Sequence, residues 1–418
     1  MTTQPRPLSL PQLGAVVAGN ALEFYDFLIF GFFAVQIGAA FFPAKSATGS
    51  LLLTLATFGV GFLTRPLGGA LIGPLGDRIG RKPAMLFSFG LMGCCIAGLA
   101  LTPSYASIGI AAPVLVVFFR LLQGFALGGE VGPATAFLLE AAPTEKRGLY
   151  VSFQLATQQV AIFVSGLVGF VLSSALTPAH LTAWGWRVAM LLGVSVVPFA
   201  LIIRRRLPET FHRQAGTKLR FTRGQMSVAL LATVMAASMT IATYTMNYLN
   251  VFANHTLGMP TAQGFGALAL AGTCGAIFNP IGGWLSDRVG RKPVMTIAFA
   301  LLCIASLPCF MLMAHFRTPL SLYCAILVMS PLLALGSSVT VTFLAESMPP
   351  PIRSGGIGII YAVAITVFGG STSFMAAWLT DVTGSPLAPA WYMGTALAIG
   401  VFAMFAVSET APAKTRGG

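Results

Sequence analysis

Arg120, Gln123 and Glu130 share one apolar stretch, FFRLLQGFALGGE, and on a helix they project within about 80° of one another. A guanidinium in that setting offers a rigid fork that grips a carboxylate bidentately. A carboxyl on the same face is placed to take up a proton. Asn20, Glu23 and Asp26 form a second polar set within about 120° of helix surface, and Gln154, Gln158 and Ser165 a third within about 40°. Tyr244, Asn247 and Tyr248 make another polar face, and Arg65 lies on a stripe with Thr57, Gly61 and Gly68. The chemistry these types support is recognition of an organic anion at Arg120, with Asn20, Gln123, Gln154, Gln158, Tyr244, Asn247 and Tyr248 around it. Glu23, Asp26 and Glu130 are the groups to couple proton binding to it, and Arg65 is a further candidate. Bond-making machinery is missing from the pattern: there is no GxxxxGK[ST], HExxH or GxSxG run. The six cysteines include no CxxC pair and the four histidines no ligand cluster. No catalytic residue, metal or cofactor is expected, and the chain is not read as an enzyme.

Each residue also has a plainer role. Gln154 and Gln158 suit hydrogen bonds between membrane helices. Glu130 suits neutralising a neighbouring Arg. Arg65, beside Pro66, suits a structural position, and the cysteines suit small buried hydrophobes. The many Met and Phe residues read as lipid-facing and packing surface rather than as a binding box.

Elements able to hold such groups inside an apolar chain are set by composition. Of 418 residues 56% are hydrophobic and 8% charged, with mean hydropathy +0.84. Runs of about 20 apolar residues span a bilayer, and these do not alternate as membrane strands do. Twelve spans are predicted, near 12–40, 51–75, 84–103, 108–139, 149–176, 185–204, 226–252, 262–285, 294–315, 319–345, 355–380 and 389–408. The first is read as a retained span rather than a removed signal peptide. The polar, basic segment 208–225 divides an N-terminal six-helix bundle, 1–207, from a C-terminal one, 226–418. The net charge of +13 does not point to nucleic acid. Most Lys and Arg collect on one side when both termini and the even-numbered loops are placed together, leaving Lys45, Arg187 and Arg317 opposite. That asymmetry predicts cytoplasmic termini in a multi-pass inner (plasma) membrane protein.

One charged loop occurs twice, as GDRIGRKP at 76–83 and SDRVGRKP at 286–293. LLEAAPTEKRG, with Glu140, is echoed by FLAESMPPPIRSG, with Glu346, and PET at 208–210 by SET at 408–410. A duplicated six-helix unit is a transporter architecture, with substrate held near the midplane between the repeats. In each loop the aspartate, Asp77 or Asp287, suits the positive end of a helix in the opposite half. Arg81 and Arg291 suit pairing with Glu140 and Glu346, making a breakable latch.

These motifs resemble the major facilitator superfamily over the whole chain. GNALEFYDF (19–27), FLTRPLGG (62–69), RLLQGFALGGE (120–130), LLEAAPTEKRG (138–148) and FQLATQQVA (153–161) resemble its metabolite:proton symporter branch. FFP (41–43) and QQVA (158–161) are most like the citrate and tricarballylate members. The chain stops nine residues after Glu409, without the long coiled coil of osmosensing relatives, and its span 5 lacks the Gly-Pro motif of drug antiporters. The resemblance implies an all-α major facilitator fold whose spans 1, 4 and 5, with 7, 8 and 11 opposite, line the cavity. It also implies proton-coupled symport of an organic acid by a monomer in the bilayer, without nucleic acid. The alternative is a carrier of another small solute, such as a betaine, dicarboxylate, aromatic acid or sugar. A membrane enzyme or a receptor is a more distant class.

Overall fold

In a computed structural model the described residues are 24–79, 81–128, 135, 138–140, 142–194, 223–349 and 353–415, with backbone alone at 73–79, 81–86, 223–225, 354, 413 and 415. All regular structure among them is helical. Helix occurs in each of the twelve predicted spans, labelled in order. The first six are α1 (Phe24–Phe32 and Ala34–Phe41), α2 (Ala47–Leu63 and Arg65–Ile79), α3 (Arg81–Leu101), α4 (Ala111–Leu127), α5 (Arg147–Ala175) and α6 (Leu181–Gly185, running on to 194). The second six are α7 (Arg223–Val251), α8 (Thr261–Val289), α9 (Arg291–Phe316), α10 (Pro319–Glu346), α11 (Arg353–Ala364 to Gly370–Thr383) and α12 (Ala388–Ala406). Among the described residues eight helices are long and apolar enough to cross a membrane unaided, the two pieces of α1 make a broken ninth, and the described parts of α3, α4 and α6 fall short of that length. Large apolar side chains such as Leu320, Ile304 and Phe402 point outward, while polar side chains including Thr54, Arg120, Gln123 and Ser165 are buried. This is the arrangement a bilayer solvent demands.

Small residues set the packing across the middle of the molecule. Gly148 of α5 and Gly283 of α8 lie backbone to backbone, so that a Cβ on either would strike the other's carbonyl group. Gly59 of α2 and Gly370 of α11 make the equivalent approach elsewhere. Such contacts let membrane helices pack closely with no side chain between them. Gly290, with φ 117°, turns the chain between α8 and α9 in a conformation other residues avoid.

Three helices are less regular than the sequence predicts. Within α1 the two pieces meet at 69°. No proline lies there; instead Phe33 leaves helical geometry at φ −98° and ψ 24°, and the neighbouring carbonyl of Phe32 accepts a hydrogen bond of 3.0 Å from Asn250 Nδ2 of α7. Wider π turns at Phe252–Thr256, after α7, and Ile365–Gly369, inside α11, do not show as periodicity. The opposite correction applies to α8. A proline inside a helical pattern predicts an interruption at Asn279-Pro280, yet the helix runs on through Pro280, and Asn279 Nδ2 bonds back to the Gly275 carbonyl at 2.7 Å.

Candidate functional site

Arg120 sits on the buried face of α4 with no exposed surface. One guanidinium nitrogen donates to Gln123 Oε1 at 2.6 Å and to the Phe27 carbonyl at 3.3 Å; the other donates to the Phe58 carbonyl at 3.2 Å. Its Nε has no acceptor. The rings of Phe27, Phe30 and Phe58 lie 4.4, 4.6 and 5.1 Å from the guanidinium carbon. Among the described residues no carboxylate pairs with it. Gln123 is held in turn by donating to the Asp26 carbonyl at 3.3 Å. Arg65 of α2 lies on the other side of the same aromatic group, 4.8 Å from the Phe27 ring and 5.0 Å from that of Phe62. The two guanidiniums are near enough to act on each other electrostatically. Cation–π contacts of this kind partly offset the desolvation of a buried guanidinium.

Beside this group lies a narrow, partly open cleft between the two sets of six helices, with a free cavity volume of about 10 Å³. From α1 and α2 it is lined by Leu28, Gly31, Phe32, Leu55 and Phe58; from α7 and α11, by Tyr244, Asn247, Tyr248, Val251 and Ser373. Arg120 does not line it. The Phe58 ring, which does, covers the guanidinium. The aromatic residues read as mere packing are therefore part of the site: Phe27, Phe30, Phe58 and Phe62 are buried around the two arginines, and Phe62 stacks edge-on with Tyr244 at 5.5 Å. Position alone could not single them out, because Phe occurs 32 times in this chain.

The other predicted residues fall out unevenly. Asp26 is buried, but its carboxyl points at α6, where a Cβ on Gly193 would run into Oδ1, and that oxygen has no hydrogen-bond partner. Its neighbour Tyr25 donates to the Ala189 carbonyl of α6 at 2.9 Å. The structure thus joins Asp26 to Arg120 through the backbone and Gln123 rather than through its carboxylate. Gln154 accepts from Thr135 at 2.7 Å, the interhelical pairing that was its plainer reading, whereas the buried Gln158 Nε2 has no partner. Asn20, Glu23 and Glu130 lie outside the described residues, as do the side chains of Asp77 and Arg81.

At the end carrying the repeated loops the second copy is fully described. Asp287 accepts from the backbone N–H of Gly148 at 2.8 Å and of Leu149 at 3.0 Å, at the N-terminus of α5. Arg291 pairs with Asp287 at 2.7 Å and with Glu346 at 3.0 Å, all three within α8–α10. Glu140 meets Arg353 of α11 at 3.1 Å, a partner the sequence reading did not assign to it. Glu409 of the SET echo caps α9, accepting from the N–H of Arg291 at 2.8 Å and of Lys292 at 3.0 Å.

Comparison with known proteins adds lineage to this geometry. Residues 12–218 match the family described as Sugar (and other) transporter, and residues 228–418 match Major Facilitator Superfamily. The chain is 36% identical over 398 residues to the citrate-proton symporter of Klebsiella pneumoniae, covering 93% of this chain and 89% of that protein. It is 32% identical to the alpha-ketoglutarate permease of Escherichia coli K12, covering 92% and 90%, and 30% identical to the proline/betaine transporter of the same organism, covering 96% and 84%. Among solved structures, the D-xylose-proton symporter superposes with TM-score 0.79 at 16% identity over 97% of this chain and 99% of that one, a likeness of fold alone.

Proposed function

Since the chain belongs to the major facilitator superfamily, whose members are membrane transporters, we propose that it is a secondary active transporter importing an organic acid, citrate or a related carboxylate, together with protons. The observation that carries this is Arg120, wholly buried beside the cavity with no carboxylate against it among the described residues. Such a cation invites an anionic substrate. The citrate and alpha-ketoglutarate relatives support the same class of cargo.

In this reading the two six-helix halves, 1–207 and 226–418, rock about a monomer's central cavity, both termini on the cytoplasmic side. The substrate carboxylate displaces the carbonyl and Gln123 contacts of Arg120 once the Phe58 ring swings aside. Tyr244, Asn247 and Tyr248 hold the opposite end, and Gln158, with its unpartnered amide, is a further contact. Asn20, Gln154 and Arg65 keep supporting places. Asp26, with its unpartnered buried oxygen, is the favoured proton carrier, with Glu23 and Glu130 as the others. Asp287, Arg291 and Glu346, with Glu140, close the cytoplasmic end; Asp77 and Arg81 have the same residue types in the first copy.

Protons are required on energetic grounds. At about −100 mV each net negative charge brought inward costs roughly 2.3 kcal/mol, so uphill import of an acid needs accompanying cations. The aromatic lining of Phe58, Tyr244 and Tyr248 favours one second reading, a carrier of quaternary ammonium solutes held by cation–π contacts, in line with the proline/betaine relative. Proteoliposomes holding a pH dye and given an inward gradient of citrate or 2-oxoglutarate separate these. Acidification of the lumen, lost in Asp26→Asn and Arg120→Lys, is the expected result. Uptake driven by sodium alone at fixed pH, or competition by betaine but by no carboxylate, overturns the proposal.

A further inference from the structure

The two walls of the cavity differ in charge. Behind the wall made by Leu28, Leu55 and Phe58 stand Arg120 and, beyond the Phe27 ring, Arg65. The facing wall, with Tyr244, Asn247 and Ser373, offers hydroxyl and amide groups only. Nor can a cation reach it from deeper in α7–α12. Every Lys, Arg, His, Asp and Glu there lies in a loop or near a helix end, and none falls in 226–254, 256–286, 293–314, 318–345, 354–380 or 382–408. All formal charge available at mid-membrane therefore belongs to the first half of the chain.

We infer that the substrate is bound as a monoanion charged at one end: its ionised carboxylate faces Arg120, and an uncharged, hydrogen-bonding body faces Tyr244, Asn247 and Ser373. The inference rests on the reading of Arg120 as the anion site and narrows it. A second ionised carboxylate at the far end would be desolvated against a wall whose own helices supply hydrogen bonds and no cation to pair with it directly, which is the unfavourable half of burying a charge. A polycarboxylic acid consequently enters with its remaining carboxyls protonated. Asn247 is the residue best placed to set this preference, since it lies on the uncharged wall between Tyr244 and Val251.

The test uses three probes of one carbon skeleton with the purified full-length protein at pH 7: glutarate, its monomethyl ester and its dimethyl ester, with binding measured by calorimetry. The monoester is expected to bind at least about tenfold more tightly than the dianion, with the neutral diester not binding; tenfold corresponds to one factor of ten in Kd. A dianion that binds as well as the monoester overturns the one-ended site and leaves anion transport standing. A diester that matches the monoester overturns the anion site itself. Asn247→Arg gives a second measure by placing a cation on the bare wall. Its ratio of dianion to monoester affinity should rise at least about tenfold, and an unchanged ratio in folded protein contradicts the assignment of that wall. Should this variant fail to fold, the wild-type series still decides.

Discussion

Among the described residues, Arg120 and Arg291 are the two arginines with no exposed surface at all, and they are kept in opposite ways. Arg291 is held by two carboxylates, Asp287 at 2.7 Å and Glu346 at 3.0 Å, and by Ser286 Oγ at 2.8 Å. Arg120 is held by one amide oxygen, two backbone carbonyls and three phenyl rings, with Nε left over. Both arrangements lessen the cost of taking a guanidinium out of water, but only the first cancels its charge. Neutral dipoles and ring faces steady a cation while leaving its field intact. On the proposed function, the difference separates a structural arginine from one prepared to receive an anion.

Substitutions can break that comparison, and the largest effect belongs to Arg291→Ala. It leaves Asp287 and Glu346 buried without their cation, a loss of about 3–5 kcal/mol. Thermal unfolding of the purified protein should show it, with part of the loss recovered in Arg291→Ala/Glu346→Gln. An unaltered melting temperature would mean that the ion pairs are incidental. Arg120→Lys comes next. It keeps the charge and removes the fork, so affinity for the acid should fall by about tenfold to a hundredfold, equivalent to one charge-assisted hydrogen bond of about 1.5–3 kcal/mol. Arg120→Met sharpens the contrast: transport is lost, yet stability holds or rises, because a buried unpaired charge is replaced by an apolar group. Wild-type binding in Arg120→Lys would remove Arg120 from the site.

Asp287→Asn has a smaller effect. Two N–H contacts at the start of α5 lose their charge component, about 0.3–1 kcal/mol, or up to about 2 kcal/mol where partly buried, and Arg291 loses one of its two carboxylates while keeping Glu346. Labelling of single cysteines from each side of the membrane should shift away from the state closed at the charged loops. Glu140→Gln should matter least. Its pair with Arg353 is 53% exposed on the Glu140 side, and exposed pairs are worth about 0.2–1 kcal/mol. A transport defect there as large as that of Arg120→Lys would move weight from the buried cluster to the surface pair.

What the sequence reveals and what it hides divide along physical lines. Span positions were legible because the bilayer imposes a length and a composition on every crossing. The Asp287 contact with the start of α5 was legible because a repeated charged loop in an apolar chain has few destinations. The direction of Asp26 was not. Periodicity places it on a face of α1, but which neighbour that face meets, α6 with Gly193 here, depends on packing among helices far apart in sequence. Phe27 and Phe58 were hidden for a related reason, since a ring against lipid and a ring against a guanidinium have the same local pattern. The bend at Phe33 has no proline to announce it; its partner Asn250 is 218 residues away. Gln154, a candidate for substrate by its residue type, is engaged by Thr135, and only the fold could bring that partner.

The single hydrogen bond from Asn250 to the Phe32 carbonyl has a kinetic consequence. With the ring contact between Phe33 and Phe265 at 4.6 Å, it joins the two sets of helices at the end of the molecule away from the charged loops. Parting there gives up one neutral bond, one tilted ring pair and the close packing of Gly166 and Gly169 of α5 on Ala269 and Phe265 of α8, all without formal charge, whereas parting at the other end separates Asp287 from two N–H groups and Arg353 from Glu140. In the proposed carrier the end that admits cargo is thus the one held without an ionised contact. On that reading, opening at the charged loops is the step that must break ionised contacts, and it sets the pace of exchange and of net uptake alike.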